Sequence, residues 1–341
     1  MTPSLEDACA PYRSLAIAGT AKNAGKTTAL NYLIERFAAA GEQLGLSSVG
    51  RDGEAVDQLT NRPKPRVRPP VGALVATSHD AAVYSQATLA HVASTPFRTA
   101  LGPVAIYRVT APGFVEVAGP VKVREAAALL KQLADLGCTK ILLDGAADRR
   151  AFISAGVDGF VLATGAVLSP DPREVVEETR AVLARLQLPS PPQSWRDLCT
   201  QGAGAISPAG FKFWPEATFL ADLPGFLAWL PVDAQALYVP GALADTLVQA
   251  VLEARRPLDF VVPAGTHVLA SRELMDRLLA RGQKLYALNP LKAVAITLNP
   301  FSPDGVIVPA EALVAAFEGA FPGLPVVDVV LGRGSNASHI G

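Results

Sequence analysis

Short apolar runs alternate along the chain with stretches whose apolar positions recur at helical spacing. Arg13-Ser-Leu-Ala-Ile-Ala-Gly19 predicts a short buried strand. In Lys26 to Gly41, Leu30, Leu33, Ile34 and Phe37 share one helical face, and Gly41 is a natural stop. Leu44 to Val49 predicts a second strand, which ends in Gly50-Arg51-Asp52-Gly53-Glu54, and Val71 to Ala76 is another short apolar run. Gly102 to Val117 predicts a hairpin: Pro103 to Val109, a turn at Pro112-Gly113, then Phe114 to Val117. A helix over Val123 to Gly137, strands over Thr139 to Asp144 and Gly159 to Thr164, and a helix over Asp171 to Leu186 follow.

This alternation predicts an α/β fold, a mostly parallel sheet with helices on both faces. The predicted nucleotide-binding domain spans residues 1–189. Residues 190–215, rich in Pro, Gly and Ser, predict a linker. Residues 216–341 alternate again and predict a C-terminal α/β unit, either separate or continuing the first sheet. Its elements are a strand near Leu237, a helix over Leu243 to Arg255, a strand over Leu258 to Val262, and a helix over Ser271 to Arg281. Strands over Lys284 to Leu288 and Ala293 to Leu298, a helix over Ala310 to Phe317 and a strand over Val326 to Val329 complete it.

Composition narrows the functions. The 341 residues are 50% hydrophobic and 18% charged, enough apolar material for a sizeable core. The net charge of -1, with no long basic run, argues against binding nucleic acid through a general positive field. The short cluster Arg62-Pro-Lys64-Pro-Arg66-Val-Arg68 reads as a solvated loop. Cys9, Cys138 and Cys199 are too scattered for a disulfide framework or a zinc site, and so are His79, His91, His267 and His339. No stretch of about 18 uncharged apolar residues predicts a membrane span. The N-terminus carries Glu6 and Asp7 and no apolar signal core, so the expected location is the cytoplasm.

The chemistry concentrates in Gly19-Thr20-Ala21-Lys22-Asn23-Ala24-Gly25-Lys26-Thr27-Thr28, between a predicted strand and a predicted helix. That is the context of a phosphate-binding loop. Gly25 lets the backbone approach phosphate oxygens, and loop and first-turn N–H groups face the anion. Lys26 is expected on the β- and γ-phosphates, Thr27 on Mg²⁺ and Thr28 on an α-phosphate oxygen. Five residues separate Gly19 from Gly25, one more than in the common spacing. Asp144 ends an apolar strand, at the sheet edge where ligands bind in such folds, and is a candidate to hold Mg²⁺ through water. Asp52 is a second candidate, for Mg²⁺ or for positioning the attacking water, although Asp-Gly is also a plain turn signal. Arg149 and Arg150 follow Asp144, as phosphate contacts or as a solvated loop. Asn299, before Pro300, is either a contact to a base or partner or a turn asparagine. No Asn-Lys-x-Asp guanine signature is present, which favours ATP.

The loop resembles the Gly-Thr-x-Thr-x-x-Gly-Lys-Thr loop of dethiobiotin synthetase and the cobyrinic acid amidases. These belong to the P-loop class that includes the ParA/MinD ATPases and the nitrogenase iron protein. Lys22 is similar to the extra lysine with which class members reach a partner's phosphate, four residues before Lys26 rather than five. In combination, residues 19–28, Gly50 to Glu54, Asp144-Gly-Ala-Ala-Asp-Arg149, Ala163-Thr-Gly-Ala166 and Thr297-Leu-Asn-Pro300 resemble a narrower family, the P-loop subunit of the lysine 5,6-aminomutase reactivase. That resemblance implies an ATP-driven reactivating factor. Its partners would be an adenosylcobalamin-dependent aminomutase and a second reactivase subunit, with homodimerisation a further expectation. Gly50 to Glu54 and Asp144 to Arg150 would be its nucleotide-dependent switches. No Asp-x-His-x-x-Gly pattern for ligating cobalamin is present. An ATP-dependent small-molecule ligase of the dethiobiotin synthetase type is the alternative, weakened by the lack of a Cys–His pair. A nucleotide-sensing assembly subunit is the third reading.

Overall fold

The structure, a computed structural model, describes residues 4–49, 66–120, 122–145, 156–199, 202–330 and 333–334. Its strands are β1 (Ser14–Gly19), β2 (Leu44–Val49), β3 (Leu74–Ser78), β4 (Thr88–Thr99), β5 (Gly102–Ala111), β6 (Lys140–Gly145), β7 (Gly159–Gly165), β8 (Gly204–Ser207), β9 (Gly210–Phe213), β10 (Ala236–Tyr238), β11 (Asp259–Val262), β12 (Leu285–Ala287), β13 (Ala293–Asn299), β14 (Val326–Asp328) and β15 (Arg333–Gly334). They form two sheets in two compact units, residues 1–180 with 292–341 and residues 181–291.

The first unit carries a ten-stranded sheet in the order β15-β14-β13-β7-β1-β6-β2-β3-β5-β4. The pairings from β14 through β3 are parallel, and the edges are antiparallel. All six residues of β1 are buried, and β1 lies between β6 and β7. A strand covered on both faces needs a near-continuous apolar run, which Leu15 to Gly19 supplies. The helix Lys26–Ala39 buries Ala29, Leu30, Leu33, Ile34 and Phe37, one stripe at helical spacing. It closes as expected: the Glu42 amide bonds the Phe37 carbonyl at 3.0 Å and Gly41 is left-handed with φ 79°.

The second unit carries a five-stranded sheet in the order β12-β11-β10-β8-β9, with β10, β11 and β12 parallel. Its core includes the helix Asp245–Glu253 through Leu247, Val248, Val251 and Leu252. An aromatic cluster of Trp214, Phe219, Phe226 and Trp229 packs at centroid distances from 4.5 to 6.2 Å.

Several expectations change. The hairpin is not Pro103 to Val109 with Phe114 to Val117. β5 pairs antiparallel with the preceding strand, β4, through a tight turn at Ala100-Leu101, just before Gly102 with φ 90°. β4 escapes detection because it is an edge strand: half of its residues are exposed and only Phe97 is buried, so burial imposes no apolar run. Val115 makes an isolated bridge to Val67 instead. Residues 190–215 are not merely a linker: β8 and β9 lie there and complete the second sheet. The first unit ends inside the helix Pro172–Leu186, and the chain returns to it at Lys292, so β13 and β14 extend the large sheet. Sequence order alone groups residues 216–341 together; hydrogen bonding from β13 to β7 separates them. Among the described residues, no helix is long and apolar enough to cross a membrane.

Candidate functional site

The candidate loop leaves the buried end of β1 and enters the helix Lys26–Ala39. Thr20 turns inward. Its amide donates to the Ala163 carbonyl at 2.9 Å, and its hydroxyl lies 3.2 Å from the Thr164 hydroxyl, which contacts Thr179 at 2.9 Å. These bonds of Thr20 tie the loop to β7. Ala24 is buried, so its methyl packs inward. Asn23 is exposed and left-handed, with φ 64°.

Gly25 caps the helix at φ 96°, a conformation that L side chains rarely adopt. Gly19 serves a different purpose. A Cβ there would lie 3.0 Å from Cγ and Cδ of Lys26, so its absence makes room for that side chain. Lys26 arches back over the loop, and its Nζ reaches the Ala21 carbonyl at 3.4 Å. Thr27 and Thr28 lie in the first helical turn, half-buried. Lys22 is half-buried in the loop itself.

The electrostatics of this helix start are unusual for the chain. Each other helix of eight or more residues among the described residues carries an acid in its first turn: Glu125, Glu174, Asp245, Glu273 and Glu311. The helix Lys26–Ala39 has no acid there, and it begins with a lysine. A helix N-terminus carries partial positive charge, so a lysine there adds like charge and favours an anion nearby.

Asp144 lies near the end of β6 and is paired in register with Ile17 of β1 and Ser48 of β2. The carboxylate is thus carried on the strand next to the one that feeds the loop, two positions short of Gly19 in register. Ser48, which sequence reasoning did not single out, donates to the Val117 carbonyl at 2.8 Å and accepts from the Gly119 amide at 3.1 Å. Asp52, Arg149 and Arg150 lie outside the described residues. Among the described residues, no group of three or more His, Cys, Asp or Glu side chains could hold a metal ion by itself. A nucleotide-bound Mg²⁺ needs only one or two protein ligands beside phosphate and water. Thr27 and Asp144 fit that lesser requirement in donor type and in their place near the loop.

Asn299 ends β13, and its side-chain amide donates to the Asn23 carbonyl at 3.0 Å. The three thiols do not suit nucleophilic work. Burial pushes Cys138 up to about 11, against the pull of Arg13 and Arg108, and pushes Cys9 and Cys199 up to about 12. No protein-family profile matches the chain, and no curated protein matches it.

Proposed function

We propose that this chain binds a magnesium–nucleoside triphosphate, ATP, on residues 19–28 and hydrolyses it. The observation that carries the reading is the helix start at Lys26: a left-handed glycine cap, a lysine, two threonines, and no protein carboxylate in the first turn. Polyphosphate supplies the negative charge that such a turn favours. In this reading Lys26 moves from the Ala21 carbonyl to the β- and γ-phosphates, and Thr28 binds an α-phosphate oxygen. Thr27 and Asp144 hold magnesium, which when bound neutralises phosphate charge. Lys22 is half-buried in the same loop.

The cellular role is a reactivating factor for an adenosylcobalamin-dependent aminomutase, a reading supported by the combined motifs of the sequence. ATP turnover would then drive release of damaged cofactor from that partner. Such a factor hydrolyses ATP slowly alone and faster with the aminomutase holding damaged cobalamin. A ligase instead consumes ATP only when its small substrate is present.

The first test is thermal unfolding with and without Mg–ATP. Stabilisation that follows ligand saturation is expected in the wild type. A wild-type chain unmoved by Mg–ATP overturns the nucleotide reading. A wild-type chain that binds ATP, but whose turnover the aminomutase does not change, overturns only the reactivase role.

A further inference from the structure

Two residues of the candidate loop, Asn23 and Gly25, are left-handed, with φ 64° and 96°. Both touch the same side chain. Asn299 donates through Nδ2 to the Asn23 carbonyl at 3.0 Å across 276 residues of sequence. A Cβ on Gly25 would lie 3.1 Å from the Asn299 Cβ. The other end of the Asn299 amide is also engaged: Oδ1 accepts the Phe301 amide at 3.2 Å. That second bond fixes which way the amide faces, with its donor on Asn23 and its acceptor on Phe301. Left-handed backbone is uncommon outside glycine, though asparagine adopts it more readily than most, and an outside contact helps to hold it. Asn299 supplies that contact.

We infer that Asn299 is a positioning residue for phosphate binding, acting by holding the 23–25 turn rather than by touching the nucleotide base. The inference rests on the nucleotide reading above. Successive amides in a turn that mixes right- and left-handed residues form an anion-receiving concavity. A turn held in that form before the ligand arrives binds more tightly than one the ligand must order. The clamp comes from β13, where the chain re-enters the first unit after residues 181–291.

The test titrates the full chain calorimetrically with Mg–ATP and with Mg–tripolyphosphate, which has no base. Asn299→Ala should weaken both ligands by the same factor, roughly three- to tenfold for one hydrogen bond. Loss confined to ATP overturns the inference, since Asn299 would then read the base. Unchanged affinity for both ligands also overturns it, as does a wild-type chain that binds ATP but not tripolyphosphate. A wild-type chain that binds neither ligand defeats the nucleotide reading, and the inference with it. Should the alanine variant not fold, Asn299→Ser keeps an acceptor for the Phe301 amide but is too short to reach Asn23. The same outcomes then decide.

Discussion

The chain builds strand-to-helix turns in two ways. In the first unit, β1 passes through residues 20–25 into a helix that begins Lys26-Thr27-Thr28. In the second unit, β10 leads through Pro240-Gly241 into the helix Asp245–Glu253, and β11 leads through residues 263–271 into the helix Arg272–Ala280. The local architecture is alike: a strand in a parallel pairing, a loop, a helix. The first-turn acids differ. Asp245 and Glu273 occupy the first turns of the second unit, and the Asp245 carboxylate also accepts the Ser271 amide at 2.5 Å. There the protein places a carboxylate of its own in each first turn. At Lys26 it does not, and the shared architecture therefore says nothing about ligand until the residues of the first turn are read.

Five substitutions test this contrast. The largest effect is expected for Lys26→Ala, which should abolish the thermal stabilisation by Mg–ATP; a retained shift in a folded variant would refute the assignment of the loop. Phe226→Ala probes the second unit, whose core it anchors. Phe226 is fully buried among Trp214, Phe219 and Trp229, so its truncation should destabilise by about 3–5 kcal/mol. All three tryptophans, Trp195, Trp214 and Trp229, belong to the second unit, so urea unfolding followed by tryptophan fluorescence reads that unit directly.

Gly25→Ala and Gly241→Ala form the sharpest pair. At Gly25 an added methyl meets both the left-handed backbone and the Asn299 side chain, and destabilisation of about 1–2 kcal/mol is expected. At Gly241 a Cβ meets nothing within 4 Å and φ is not positive, so the change should stay within about 0.5 kcal/mol. Equal urea midpoints for the two variants would show that the turns are not different in kind.

The smallest effect concerns His267, in the turn after β11. Burial lowers its pKa from the usual value of about 6.5, and its bond with the Ala264 carbonyl opposes this only in part. The unfolded chain therefore binds the proton more readily than the folded one. Stability should fall as pH drops through and below about 6.5. His267→Gln should flatten that dependence in urea midpoints measured between pH 5 and 8. A slope unaltered by the substitution would mean that other groups cause it.

Much of the first sheet is legible from sequence because its central strands are covered on both faces. β1 and β7 read as near-continuous apolar runs, and so does β13 up to Asn299. The helix Lys26–Ala39 reads correctly because its buried stripe is one-sided and a glycine ends it. β4 is not legible, since an exposed edge strand has no burial pattern to impose. β8 and β9 are four residues each in a segment rich in Gly, Ser and Pro, where turn chemistry hides short strands. Of the candidate site, the order Gly19 to Thr28 and the place of Asp144 at a strand end are visible in one dimension. The inward turn of Thr20 and the bonding of Ser48 are not, because each depends on residues distant in the chain, and the arch of Lys26 over Gly19 depends on how the loop folds back on itself.

By itself, then, the sequence determines the strand–loop–helix unit around Gly25, its lack of a first-turn acid and the alternation that makes an α/β protein. These properties are local, set by side-chain pattern and backbone preference over a few residues. The tertiary structure decides that residues 292–341 return to the first sheet, that Asp144 is carried beside β1, and that Asn299 clamps Asn23. Each of these depends on hydrogen bonds between strands far apart in the chain, and a pairing across 276 residues leaves no periodic trace in the sequence that makes it.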